Sequence, residues 1–167
     1  MGKRHKGRIL AFQALFAWDA QHSLNSQYKL SKADEAGQSL EDLLDFSWVE
    51  KKMPAQQPDN GDEPANDNAD FPRLLVTGTV ENIKTVDTLI RRHLQNWDFS
   101  RLNCVDRALL RLSVYELLFK TAPPSVVIDE AIDISREYGT DDSYRFINGV
   151  LDGVKKTIQH ESTEKPI

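Results

Sequence analysis

The chain has 167 residues, 26 acidic and 21 basic side chains, a net charge of −5 and one cysteine. This length favours one domain with a core of useful size, and a lone Cys104 beside four scattered histidines excludes a disulfide framework, fits a reducing compartment and matches no zinc-ligand spacing. No apolar run approaches the roughly 18–20 residues that cross a bilayer.

The charge is segregated. Lys3, Arg4, His5, Lys6 and Arg8 all precede the first acid, Asp19. A basic start on an acidic chain points to an arm that binds a polyanion. In outline, the basic residues and the following ILAFQALFAW copy a secretion signal. Gln13 interrupts the apolar run, however, and no small-x-small cleavage site follows cleanly, so the segment is expected to fold rather than be removed. Residues 3–22 read as a helix, with Ile9, Phe12 and Phe16 in one stripe and Ala11, Leu15 and Trp18 beside it. Its basic first turns are expected to face solvent.

A second helix is expected over 38–52, capped by Ser39, with Leu40, Leu43, Leu44 and Trp48 as its apolar positions. The segment 53–70, MPAQQPDNGDEPANDNAD, carries five acids, three prolines and no base. It holds too little apolar surface to offset its ordering entropy and reads as a disordered acidic insertion. Residues 71–95 read as helix again, with Gly78 marking a close crossing or a bend. Residues 97–100 connect to the next element.

That element, 102–119, is the centre of the pattern. Val105, Ala108, Leu109, Leu112, Tyr115 and Phe119 fall on one broad face. Asn103 is the expected N-cap, and Asp106 stands where a carboxylate complements the positive end of a helix. A face this long needs several helices to cover it. A helix over 125–138 follows, with Ser125 as cap, Ile128, Ala131, Ile132 and Tyr138 facing inward, and Gly139 as a left-handed stop. The last helix spans about 142–158 on Ile147, Val150, Leu151, Val154 and Ile158, and residues 161–167 form a flexible tail. No strand-period segment and no repeat is found. The fold class is all-α, a single domain over residues 1–160.

No set of groups converges for catalysis, and the eight glycines form no phosphate-cradling loop. The reading is therefore a non-enzyme without cofactor or metal. Cys104 reads as a small core residue rather than a nucleophile. Binding has more support. Lys3, Arg4, Lys6 and Arg8 can neutralise phosphates, and Phe16, Tyr144 and Phe146 are candidates for base stacking. Core packing is the competing reading for each aromatic, and is favoured for Phe16 on pattern alone.

AFQALFAWD, VDRALLRLSVYELLF and IDEAIDISREYGTDDSYRFINGVLDGV, with the basic residues before them, resemble the NusB family of bacterial transcription antitermination factors. The likeness covers the first helix and nearly everything from Phe71 to Val154. It implies two small helical bundles packed at a large angle, about seven helices in all, and a cytoplasmic protein. It further implies binding of single-stranded boxA RNA in ribosomal RNA transcripts, jointly with the ribosomal protein NusE, in a complex with RNA polymerase, NusA and NusG. Carried over by position, Lys3, Arg4, Lys6 and Arg8 would meet RNA together with Asp142, Arg145 and Phe146. Phe16 and Asp106, at an exposed helix start, would meet NusE. Phe16 departs from the tyrosine expected there and lacks its hydroxyl. Lysines in the arm lack arginine's planar fork, which implies a more salt-sensitive contact. Some relatives self-associate, so a homodimerising or protein-interaction module is the alternative. A related domain also fronts ribosomal RNA cytosine methyltransferases, but here only a short tail follows the last helix, which favours a free-standing factor.

Overall fold

The computed structural model describes residues 2–28, 44, 67–95 and 97–164. The helix expected over 38–52, save Leu44, and residues 53–66 of the acidic insertion lie outside this set. Six α-helices are found among the described residues, and no strand. They are α1 (Lys3–Tyr28), α2 (Asp67–Glu81), α3 (Ile83–Arg92), α4 (Cys104–Phe119), α5 (Pro124–Tyr138) and α6 (Ser143–Glu164), with a 3-10 turn at Phe99–Arg101 before α4. The chain divides into two compact units, Met1–Val76 and Thr77–Ile167.

In the first unit, α1 buries Ala11, Phe12, Ala14 and Leu15. Its early turns are fastened to the start of α2. The Arg4 and Arg8 guanidinium carbons lie 5.2 and 5.4 Å from the centroid of the Phe71 ring. Gly7 makes this approach possible, because a Cβ there would come within 2.8 Å of Phe71 Cδ1. The predicted start of α2 moves: residues 67–70, expected in the acidic loop, are helical.

The second unit is organised around α4, which packs on α3, α5 and α6. Every residue from Asp106 to Leu117 is buried, not one face alone. The polar residues on α4 therefore need partners inside the protein. Arg111 finds one in Asp87 of α3. Its Nε and Nη2 donate to the two carboxylate oxygens at 2.8 and 2.9 Å, and Phe99 lies across the guanidinium at 5.3 Å. Gly78 is a close crossing, since a Cβ there would overlap the Tyr115 ring. Phe119, expected on the buried face, is 52% exposed at the end of α4.

Local corrections have local causes. The single helix expected over 71–95 breaks at Asn82, whose amide nitrogen and side chain both donate to the Gly78 carbonyl, at 3.1 and 2.8 Å. The helix after the prolines starts at Pro124 with Pro123 as cap, so Ser125 is inside it. Proline suits the first helical position because its missing N–H would have no partner there. Gly139 is not the left-handed stop; its φ is −91°. Glycine is needed there for room, because a Cβ would sit 2.6 Å from both Ser135 O and Ser143 Oγ. A left-handed residue does occur at the end of α4, where Lys120, at φ 54°, closes the helix with its amide on the Glu116 carbonyl. The last helix continues to Glu164, past the expected tail boundary.

Breaking the Arg111–Asp87 pair from one side leaves a buried charge without its counter-ion. Asp87→Ala is expected to lower unfolding free energy by about 3–5 kcal/mol in urea denaturation, whereas Asp87→Leu combined with Arg111→Met should recover most of that loss.

Candidate nucleic-acid and partner interface

The basic residues at the start of α1 do not form one exposed set. Lys3, Arg4 and Lys6 are exposed, and Arg8 is 3% exposed beneath Phe71. The expectation that all the first turns face solvent fails at Arg8, because the helix starts at Lys3 and brings position 8 onto its packed side. The cations are thus carried on a helix anchored by packing. On the same helix Phe16 is 38% exposed, against the core packing its stripe suggested.

A second cluster is built where α5 turns into α6. The Ser143 hydroxyl closes this turn, accepting from Thr140 N at 3.0 Å. The turn leaves Asp142 and Arg145 exposed and Tyr144 and Phe146 half-buried. Arg145 Nε donates to the Tyr144 hydroxyl at 2.8 Å. The guanidinium carbons of Arg136 and Arg145 lie 4.8 and 5.4 Å from the Tyr144 ring centroid. Two guanidiniums are therefore held around one aromatic ring, an arrangement suited to phosphate beside stacked bases. Phe146 meets Trp97, with ring centroids 6.2 Å apart and planes tilted by 56°.

Asp106 is not at an exposed helix start. It is 7% exposed. Asn103 caps α4 as expected, its Oδ1 accepting from Asp106 N at 2.8 Å, and Asn103 Nδ2 donates to Asp106 Oδ2 at 3.0 Å. The other carboxylate oxygen, Oδ1, is buried without a hydrogen-bond partner. Burial pushes this carboxyl above the ordinary aspartate value, and the Ser143 and Asn103 side chains oppose the shift. Asp106 is thus a structural group between the starts of α4 and α6. Cys104, read as a core residue, is exposed, with Arg107 Nη2 3.9 Å from its sulfur.

Trp97 escapes the sequence reading. It is 59% exposed, in a connection that shows no helical period. A tryptophan in a connecting segment, close in sequence to Arg91, Arg92 and His93, is the available signal. Among the described residues no group of three His, Cys, Asp or Glu could hold a metal, and no helix is long and apolar enough to cross a membrane.

These features define an all-helical protein with cationic and aromatic groups fixed at helix starts. The chain belongs to the NusB family, whose profile matches residues 5–156. It is 46% identical to the transcription antitermination protein NusB of Treponema denticola over 153 residues, 91% of this chain and 95% of that one. It is 35% identical to the NusB of Leptospira biflexa over 159 residues, 93% and 94% of the two chains. Among solved structures, the NusB of T. maritima superposes with a TM-score of 0.68 at 32% identity, covering 99% of each chain. A chain from a crystal structure of antitermination factors NusB and NusE in complex with double-stranded RNA superposes with a TM-score of 0.69 at 27% identity, covering 94% of this chain and 98% of that one.

The buried Asp106 carboxyl gives a pH-dependent expectation. An acid whose folded pKa is raised carries no ionisation cost below its unfolded value near 3.8, and the full cost only above the raised folded value. Asp106→Asn, which keeps an acceptor for Asn103, should therefore be at least as stable as the parent at pH 7. Its advantage should vanish below about pH 4, as read from thermal midpoints across pH.

Proposed function

We propose that this chain is a cytoplasmic antitermination factor that binds single-stranded boxA-type RNA in ribosomal RNA transcripts jointly with NusE, within an RNA polymerase complex containing NusA and NusG. The observation that carries this reading is the paired-arginine cluster where α5 turns into α6, with Arg136 and Arg145 both against the Tyr144 ring. The likeness, over 94% of the chain, to a protein crystallised with NusE and double-stranded RNA supports RNA and NusE as the partners.

Lys3, Arg4 and Lys6 on α1 and Arg145 on α6 supply the phosphate contacts, and Phe146 supplies an aromatic surface. Arg8 acts from beneath, holding Phe71 and the helix start in place. Asp142 specifies rather than attracts: its carboxylate repels phosphate but accepts hydrogen bonds from base amino groups. The NusE contact is assigned to Phe16, the exposed ring on α1. Asp106 contributes to it from within, its buried carboxylate holding the Asn103 side chain that caps α4. Homodimerisation through these surfaces competes with RNA and partner.

Four phosphate contacts to a single strand predict a log–log salt slope of about −3. Replacing both Arg4 and Lys6 by glutamine should weaken binding and reduce the slope to about −1.4, while NusE affinity stays at the parent value. Fluorescence anisotropy across a salt series measures both. An unchanged slope with normal folding would remove the α1 cations from the RNA surface.

A further inference from the structure

Beside the α6 cluster, and sharing Arg145 and Phe146 with it, lies an open cavity of about 420 Å³ whose other wall has no role in the reading above. Arg92, His93, Gln95 and Trp97 line one side of it, and Arg145 and Phe146 the other. Gly149 and Gly153 of α6 line it as well. Gly149 leaves open space where a Cβ would stand, whereas a Cβ on Gly153 would come within 2.7 Å of His93 Nδ1. His93 is fixed from its other nitrogen, Nε2, which lies 2.9 Å from Thr157 Oγ1. Burial and the Arg92 charge lower its pKa, which favours the uncharged imidazole. The cavity thus brings two guanidiniums, Arg92 and Arg145, together with the exposed Trp97 ring.

Its aromatic wall is the unusual part. Trp97 leaves more than half of its surface in solvent. An exposed indole beside cations offers a π-face on which a base can stack. Phe146 touches it at 56° rather than stacking on it, so Phe146 braces the indole while leaving ring surface free.

We propose that Trp97 is the stacking platform of a subsite for one unpaired nucleobase of the bound RNA, with Arg92 and Arg145 on the flanking phosphates and the Gln95 amide at the base edge. This rests on the RNA-binding reading above and adds to it a residue and a pocket. Chemistry favours RNA over a protein side chain as occupant. Two guanidiniums at the rim of an aromatic cavity match a nucleotide's combination of π-face and anion. The Gln95 amide offers both a donor and an acceptor, as a base edge requires. Arg92 is held 3.5 Å from Glu161 by an ion pair exposed on both sides, which solvent screens and a phosphate can displace.

The test is Trp97→Ala against a series of boxA-type RNAs, each abasic at one position, with NusE present. Trp97 lies in an exposed connection, so the variant should keep the parent's thermal midpoint. Intact RNA should bind about 5- to 150-fold more weakly to it. One abasic RNA should bind parent and variant alike, because the base that Trp97 stacks on is already missing. Trp97→Phe should retain most of the affinity. If parent and variant bind intact RNA equally, the subsite is overturned while the RNA-binding reading stands. If the variant loses affinity for NusE but not for RNA, the cavity holds a protein group and the inference fails. If the parent itself does not bind RNA, the broader reading fails with it.

Discussion

The ion pair between Arg111 and Asp87 is the constraint on which the second unit depends. Helix α4 is buried all round from Asp106 to Leu117, so Arg111 is held away from water. A guanidinium in that position is tolerable only with a carboxylate matched to both of its donors. Asp87 meets that demand and ties α3 to α4. The aromatic faces of Phe99 and Tyr115 then fill the space that the close approaches create, Phe99 over Arg111 and Tyr115 against Gly78. Such a pair adds little net stability over an apolar pair of equal shape. Its contribution is register: only one sliding position of α3 along α4 brings both oxygens to both nitrogens.

That register reaches the functional surface through short connections. Helix α3 ends at Arg92, one residue before His93 and five before Trp97. The start of α6 is joined to the start of α4 by Asp106, whose burial beside Ser143 links the two helix ends. The groups assigned to RNA on α6 are therefore side chains on a fixed helix end rather than on a mobile loop. Fixed cations and rings lose less entropy on binding than mobile ones, so more of the contact energy appears as affinity. In the first unit Phe71 does the same for α1, where Arg4 and Arg8 lie over a single ring.

The legible part of the molecule is the part governed by local periodicity. The helices show because apolar residues recur every three to four positions, and the α4 start shows because an Asn followed three residues later by Asp is a local capping signal. The NusB likeness is legible too, since long blocks around α4 and α6 carry it. What escapes the sequence depends on distant residues. Asp87 and Arg111 are 24 positions apart, and nothing in either neighbourhood announces the other. Charge alone places Asp106 and Arg8 in solvent; their burial is set by packing against Ser143 and Phe71. Gly139 misses its expected left-handed role because a glycine can be required for space as well as for a left-handed backbone. Trp97 sits in a connection, where periodicity carries no information.

On the proposed reading, this helical body recognises a particular single-stranded sequence with its ribosomal partner, rather than merely attracting polyanions. The most direct measurement is a competition at near-physiological salt, with the purified chain and NusE mixed with labelled boxA-type leader RNA and challenged by unlabelled cognate or scrambled RNA of equal length. Each mismatched position typically costs about 1–3 kcal/mol, so cognate competitor should displace the label at a concentration at least about tenfold below the scrambled one. Equal displacement by both would contradict sequence recognition and leave only charge-driven binding.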